Sequence, residues 1–323
     1  MIPNQWYAIL PSSKVKPGGL VAVRRMGLDL ALFRTAGGAL GCVVDQCTHR
    51  GAALSLGKVK DRCVSCPFHG LEFSPDGRCS FIPANGRSAT QDLGRYNVRA
   101  YPVAEMSGII YLWHGDPDKA TEKLPFFYGE LDGFAMSEIE DHWAAHYSRA
   151  IENQLDVVHV PIVHHNTIGR GNKTLINGPK VIFDDGTLIT SANNEVDHGQ
   201  KPKPPSECVI KNTYLKFLFP NLWMNHISDK IRVVIFFAPV DDENTVLYIR
   251  FYDKITNSAL INRLIAQIGK FMNRVVERQD RRVVITQRPK PSSYRSDEKL
   301  LMGDGPIIEY RRQRDALMRE AKK

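Results

Sequence analysis

The chain has 323 residues, 43% of them hydrophobic and 24% charged. That usage excludes a wholly disordered or collagen-like chain, and six Cys are too few for a disulfide-stapled secreted scaffold. The net charge of +8, from 43 Lys and Arg against 35 Asp and Glu, permits an acidic partner without naming one. No basic-then-apolar leader opens the sequence. The longest apolar runs, near Ile109–Trp113 and Val233–Val240, fall far short of the roughly 18 to 20 residues of a membrane span. The expectation is a cytoplasmic protein without membrane attachment, whose Cys are free thiols or metal ligands.

Short β-type runs come first, at Leu20–Arg24, Leu28–Phe33 and Leu40–Val44. Gly18-Gly19, Gly37-Gly38, Pro75-Asp76-Gly77 and Asn85-Gly86 punctuate this region. The pattern predicts an all-β domain over residues 1–118, closed by Gly108–Trp113 and a polar linker, His114–Asp118. Trp143–Val160 has few breakers and predicts a helix. Residues 180–191, 208–219 and 231–253 carry β-branched and aromatic runs between turn signals such as Asp184-Asp185-Gly186, and predict an antiparallel sheet. The period then changes over 257–287. Leu260, Leu264, Ile268, Met272 and Val275 recur every three or four residues, as on an amphipathic helix. Pro289 and Pro291 mark its end, and Ile307–Lys323 predicts a last, charged helix. The fold class is α+β, with residues 119–323 as a mixed second domain.

Two clusters carry chemistry. The first is Cys47-Thr48-His49-Arg50-Gly51 followed by Cys66-Pro67-Phe68-His69-Gly70. Each half offers one thiolate and one imidazole on a tight loop. A Rieske 2Fe-2S cluster needs this set, two Cys on one iron and two His on the other. A structural zinc site built on Cys63 and Cys66 with Cys42 and Cys47 is the alternative, but it leaves His49 and His69 unexplained. Cys42, Cys63, Cys79 and Cys208 read as buried thiols.

The second cluster is Asp156-Val157-Val158-His159, with a carboxylate and an imidazole at i, i+3 on one helix face, then Pro161 and His164. Two His and a distant carboxylate make the facial triad of non-haem Fe(II) oxygenases, which leaves positions open for oxygen and substrate. The long helix supplies two candidate acids, Glu277 and Asp280, and His165 competes with His164. Asp156 is placed to hold the free ring nitrogen of His159.

These motifs, with the run through Ala52-Ala53-Leu54-Ser55-Leu56-Gly57, resemble Rieske non-haem iron oxygenase α subunits, especially the short vanillate O-demethylase-like group. The likeness extends from Asn4-Gln5-Trp6-Tyr7 to Gln287-Arg288-Pro289. His49-Arg50-Gly51 sets the chain apart from respiratory Rieske proteins, whose loops each carry an extra Cys. Phe68 and Leu71 depart from the family's usual Tyr and Trp. Matches to the family at Asn153, Asp156, His159 and His164, and at Gln279, Asp280 and Gln287, select His164 and Asp280 as ligands. The resemblance implies a helix-grip catalytic domain, a mononuclear Fe(II), a homotrimer, and a ferredoxin or flavin reductase as electron donor. It also implies that Asp156 bridges His69 of one chain to His159 of the next, with Asn153 beside it. The implied activity is hydroxylation or oxidative demethylation of a small organic molecule by O2. A cis-diol-forming ring dioxygenase and a Rieske electron carrier with a ligand-binding domain are the alternatives. Plant members that cleave chlorophyll catabolites add a C-terminal membrane segment, which this sequence lacks.

Phe217, Phe219, Trp223, Asn225, His226 and Ile235 are candidates for lining a substrate pocket, with Trp223, Asn225 and His226 as contacts. Arg281-Arg282, Arg311-Arg312 and Lys322-Lys323 are open to two readings, a solvated helix face, which is the commoner explanation, or a surface that attracts an acidic donor. No nucleic-acid motif accompanies the charge.

Overall fold

The glycine- and proline-marked turns of the first third separate strands as the sequence predicts. The structure is a computed structural model that describes residues 1–88 and 90–321. Its packing divides the chain into two units, one from Pro3 to Leu124 and one from Pro125 onward.

In the first unit, β1 (Gln5–Pro11), β2 (Leu20–Arg25), β3 (Leu28–Arg34) and β4 (Leu40–Val44) come first. The short β5 (Lys58–Lys60), β6 (Cys63–Ser65), β7 (Glu72–Phe73) and β8 (Cys79–Phe81) follow, then β9 (Val103–Met106) and β10 (Ile109–His114). They pair antiparallel as β1-β10-β9, β2-β3-β4 and β5-β6-β7-β8. Phe33, Val43, Leu54, Val64 and Phe73 fill the core, and the backs of Cys47 and Cys66 pack into it. The stretch His114–Asp118 is not a free linker. Asn4 Oδ1 accepts the Asp116 N–H at 2.9 Å, and the Trp6 indole donates to the Thr121 carbonyl at 2.8 Å. The chain therefore stays with this unit as far as Leu124.

The second unit begins with β11 (Ala135–Trp143), α1 (Tyr147–Leu155) and α2 (Val160–Val163). It continues through β12 (Leu175–Asn177), β13 (Val181–Asp184), β14 (Thr187–Thr190), β15 (Asn193–Glu195), β16 (Tyr214–Leu218), β17 (Leu222–Ser228), β18 (Ile231–Pro239) and β19 (Thr245–Asp253). The helices α3 (Ala259–Val284) and α4 (Gly305–Glu320) complete it. Seven strands form one antiparallel sheet in the order β11-β19-β18-β17-β16-β14-β13. Helix α3 lies against β11 and β19, the long helix on a sheet that the resemblance implies. Ser137 donates to the Ala266 carbonyl at 2.5 Å. A Cβ at Gly269 would come within 2.6 Å of the Phe251 ring, so glycine permits this close approach.

Four expectations need correction. Trp143–Val160 is not one helix: Trp143 ends β11, paired with Thr245, and the helix stops at Leu155. Asp156 leaves helical geometry at φ −75° and ψ 123°. Its Oδ1 accepts the backbone N–H of Val158 at 2.6 Å and of His159 at 3.3 Å. The carboxylate thus acts as a cap where the chain re-enters α2. Asp156 and His159 lie across this break rather than on one helix face. Pro161 sits in the first turn of α2, where proline is tolerated.

The second correction concerns α3. Leu260, Leu264, Ile268, Met272 and Val275 are all exposed, whereas Asn262, Ala266, Gly269, Glu277, Asp280 and Val284 are buried. The apolar stripe that reveals the helix is not the face that meets the sheet. The third concerns charge. Arg281 pairs with Asp141 at 2.5 Å, Arg312 with Glu309 at 2.7 Å, and Arg311 is buried. Arg311 donates to both oxygens of Glu152 at 2.8 and 2.9 Å, and Arg149 reaches Glu152 at 3.3 Å. Glu298 closes this four-residue clamp between α1 and α4, 2.5 Å from Arg149 and 2.6 Å from Arg311. The buried Arg149 and Arg311 are structural, Arg281 and the exposed Arg312 are each held by a carboxylate, and Lys322-Lys323 lie outside the described residues. Finally, Cys63 is only half-buried, 3.3 Å from Ser80 Oγ, while Cys42, Cys79 and Cys208 are buried free thiols.

No helix among the described residues is long and apolar enough to cross a membrane.

Candidate metal centres

The Cys-x-His and Cys-x-x-His loops of the first unit share one backbone hydrogen-bond pattern. The N–H of Gly51 donates to the Cys47 carbonyl at 2.8 Å, and the N–H of Cys47 donates to Ala52 at 2.8 Å. In the second loop Gly70 N–H meets Cys66 at 3.1 Å, and Cys66 N–H meets Leu71 at 2.8 Å. Gly51 and Gly70 both sit at φ +74°, a left-handed conformation that L side chains resist. Each loop thereby turns back on its Cys and brings the His, two residues on in the first loop and three in the second, beside its counterpart. The His49 and His69 ring centroids are 4.5 Å apart. Cys47 and Cys66 are buried, while both imidazoles are exposed. Burial pushes the Cys47 thiol up to about 11, against the backbone N–H of His49, which lowers it. Asp45 braces the first loop by accepting the N–H and hydroxyl of Ser55 at 2.6 and 2.5 Å. Two inward thiols and two outward imidazoles suit a cluster with S2 ligation on one iron and N2 on the other. They do not suit four-thiolate zinc, since Cys42 lies in the core beneath β3.

In the second unit His159, His164 and Asp280 converge, with one ligand atom from each within 4.8 Å of the others. Asp280 Oδ1 is 2.9 Å from His164 Nε2 and 3.4 Å from His159 Nε2. Burial pushes the Asp280 carboxyl up, but the two imidazoles overcome it and hold it below its ordinary value. Burial lowers His159, and the carboxylates of Asp156 and Asp280 outweigh that and raise it to about 9. Mutual attraction of two imidazoles and one carboxylate, facing a cavity, is the donor set of a facial triad. His165 points elsewhere: it is exposed, and its Nδ1 contacts the Ile162 carbonyl at 3.1 Å. Glu277 is buried but is not in the converging set.

A surrounding layer fixes each ligand. Gln279 Oε1 lies 2.8 Å from His164 Nδ1 and can only accept, so Nδ1 carries the proton and Nε2 is left free. Thr167 donates to the same Oε1 at 2.9 Å, and Gln279 Nε2 donates to Asn166 Oδ1 at 2.8 Å. Gln154 Nε2 reaches Asp280 Oδ2 at 3.5 Å, which leaves Oδ1 to the histidines. His159 Nδ1 stands 3.5 Å from Asp156 Oδ2. Sequence reasoning missed Gln154, Asn166 and Thr167, and met Gln279 only as a motif match. The one available signal was their position beside ligands, on α1, on α3 and in the turn after His164.

The triad opens on a cavity of about 410 Å3. Ile168, Leu215, Trp223, Val233 and Val276 give it an apolar wall, with Asn153, Asn225 and Asn273 as polar points. Strand alternation sorts the proposed contacts. Trp223 and Asn225 lie on the cavity side of β17, and His226 does not. His226 stacks on Tyr214 with ring centroids 4.3 Å apart, so it is withdrawn as a substrate contact. Phe217 and Phe219 pack on Tyr310 of α4, and with Ile235 they stand outside the lining.

Residues 5–102 match the Rieske [2Fe-2S] domain, and residues 143–320 match the vanillate O-demethylase oxygenase C-terminal domain. The chain belongs to the Rieske oxygenases that carry this C-terminal domain. Among curated relatives, the chloroplastic chlorophyllide a oxygenase of Chlamydomonas reinhardtii is 38% identical over 169 residues, 52% of this chain and 25% of that protein. The oxygenase component of chloroacetanilide N-alkylformylase from Rhizorhabdus wittichii is 34% identical over 171 residues, 52% of this chain and 48% of that one. The match thus spans at most about half the length of these relatives. Among solved structures, Pseudomonas putida CBB5 NdmA aligns with a TM-score of 0.80 at 20% identity, covering 98% of this chain and 94% of that one. Dicamba monooxygenase bound to 3,6-dichlorosalicylic acid gives 0.72 at 20%, covering 100% and 99%. At that identity the likeness is one of fold.

Proposed function

We propose that this chain is the oxygenase component of a monooxygenase system that hydroxylates or oxidatively demethylates a small organic molecule. The observation that carries the proposal is the convergence of His159, His164 and Asp280 at the wall of an apolar cavity. Cys47, His49, Cys66 and His69 would hold a [2Fe-2S] cluster, and His159, His164 and Asp280 a mononuclear Fe(II). Bound there, the cluster would supply single electrons and the iron would activate O2. The chain's own residues prepare that chemistry. Gln279 and Gln154 set the direction of His164 and Asp280 before any metal arrives. Asp156 holds the His159 ring while keeping its backbone cap. The apolar wall excludes bulk water from the reacting carbon.

Asp156 is also the proposed electron bridge between copies in a homotrimer, contacting His69 of a neighbouring chain. Its side chain retains 24% exposure. It borders an outer cleft that includes His159, Ile162 and Leu301, of which Ile162 and Leu301 are strongly exposed. An external ferredoxin or flavin reductase would supply the electrons.

Iron content tests this reading against that of a Rieske electron carrier. An oxygenase holds about three iron atoms per chain, two in the cluster and one in the triad. A purified, iron-reconstituted protein that saturates at about two would leave only the carrier.

A further inference from the structure

Among the described residues, the lining of the triad cavity contains no Lys and no Arg. Its ionisable side chains are Asp156, Glu277, Asp280, His159 and His164, and Tyr214 borders it with its ring stacked on His226. Cations do occur nearby in sequence, but the sheet separates them. Lys216 and Arg232 stand opposite Met224 and His226, on the face of β17 turned away from the cavity. Lys216 is paired with Glu130 at 2.6 Å, and Arg232 stacks over Phe134 at 5.4 Å. Iron in the triad would bring two positive charges, which Asp280 and Asp156 cancel. A carboxylate or sulfonate entering this cavity would lose its hydration and find no cation from the chain to replace it.

Much of the rest of the lining is apolar: Leu215, Trp223, Val233 and Val276 would meet such a ligand with hydrocarbon surface. Trp223 Nε1, Asn225 Oδ1, Asn153 Nδ2, Asn273 Nδ2 and Glu277 Oε2 are buried without a hydrogen bond and turn no accessible surface to the cavity. Burial, reinforced by Asp280 and Asp141, pushes the Glu277 carboxyl well up, which offers an anion no compensation. We infer that the substrate is an uncharged ring compound, and that aryl carboxylates and sulfonates are excluded. This rests on the reading of the cavity as the oxygenase substrate site.

The test is equilibrium binding to the anaerobic, iron-loaded protein at pH 8 by calorimetry. The probes are two matched pairs, 4-methoxybenzamide against 4-methoxybenzoate and 2-quinolinone against quinoline-2-carboxylate. The neutral member of each pair should bind at least tenfold more tightly. Val233→Arg, which puts a guanidinium on the cavity wall, should tighten binding of the carboxylate members several-fold. Leu215→Arg, which puts a cation in the wall, should recruit the carboxylates. Equal or tighter binding of the anions by the parent protein overturns the inference, as does failure of both neutral probes to bind below millimolar concentration. If either variant fails to fold, the parent comparison still decides. Because turnover is not read, loss of this selectivity would overturn the inference alone and leave the oxygenase reading to the iron count, and an iron count of about two would sink that reading without touching the binding result.

Discussion

Gln279→Leu removes the acceptor that fixes His164 while keeping a side chain of similar size in α3. His164 is 1% exposed, so its Nδ1–H cannot turn to solvent once the 2.8 Å bond to Gln279 is lost. Leaving one such buried donor unpaired costs about 1–3 kcal/mol. Thr167 loses its 2.9 Å acceptor as well, although its hydroxyl can also reach the His164 carbonyl at 3.3 Å. At about 1.4 kcal/mol per factor of ten, the loss corresponds to roughly 10- to 100-fold weaker iron binding at the triad. The assay is chelator competition followed by metal analysis, with the visible absorption of the cluster as an internal control. The variant should give up its third iron at lower chelator concentration with cluster absorption unchanged. Gln279→Glu keeps an acceptor and should recover most of the affinity. Parent-like iron retention by Gln279→Leu would refute the claim that this bond orients the ligand.

Further expectations concern the triad and its scaffold. Asp280→Ala should lose the mononuclear iron and keep the cluster chromophore, whereas Glu277→Gln should keep both; the reverse result, read by metal analysis, would transfer the ligand role to Glu277. Asp156→Asn retains an oxygen for the Val158 and His159 caps, so it should keep both metals and fold normally while nearly abolishing turnover. Glu152→Ala removes one of the two carboxylates that Arg149 and Arg311 share, leaving Glu298, and chemical denaturation should show a loss of about 1.5–3 kcal/mol. His146 caps α1: its Nδ1 accepts the Ser148 N–H at 3.3 Å and lies 2.7 Å from Ser148 Oγ. Burial, with Arg314 nearby, lowers it from 6.5 to about 3. A depressed histidine makes the folded state bind fewer protons than the unfolded state between those values. Stability is then complete above pH 6.5 and falls toward pH 3, by about 1.4 kcal/mol per pH unit at most. His146→Gln should flatten that part of the stability profile, and an unchanged slope would place the acid sensitivity elsewhere.

The first site was legible because its information is local. Each loop needs Cys, His two or three residues later and Gly four residues after the Cys, and the shared φ of +74° at Gly51 and Gly70 gives the physical reason for that last spacing. The triad was half legible. His159 and His164 share a short segment, but their carboxylate comes from α3, and composition could not choose between two acids three residues apart on that helix. The geometry brings Asp280 into the converging set with His159 and His164 and leaves Glu277 out. The helix spanning Trp143–Val160 was misread because propensity does not register a side-chain cap: Asp156 stops α1 by bonding forward to Val158 and His159. Periodicity located α3 correctly and could not reveal that its apolar stripe is exposed while Glu277 and Asp280 are buried. His226 failed as a contact for the opposite reason. Its strand was expected, but a face assignment needs the register, and Tyr214 opposite it decides the matter.

The most direct test of the oxygenase account is a single turnover under 18O2. The chemically reduced protein, loaded with about three irons per chain, is mixed with labelled oxygen and a panel of neutral methoxy-aromatics, N-methyl lactams and polycyclic alcohols, and products are read by mass spectrometry. The account predicts a product carrying one labelled oxygen, or a demethylated product with formaldehyde, formed by the parent and not by Asp280→Ala. Two labelled oxygens in a cis-diol would contradict the monooxygenase assignment. Oxidation of the cluster at the same rate with and without every compound, and no product, would contradict the oxygenase assignment itself.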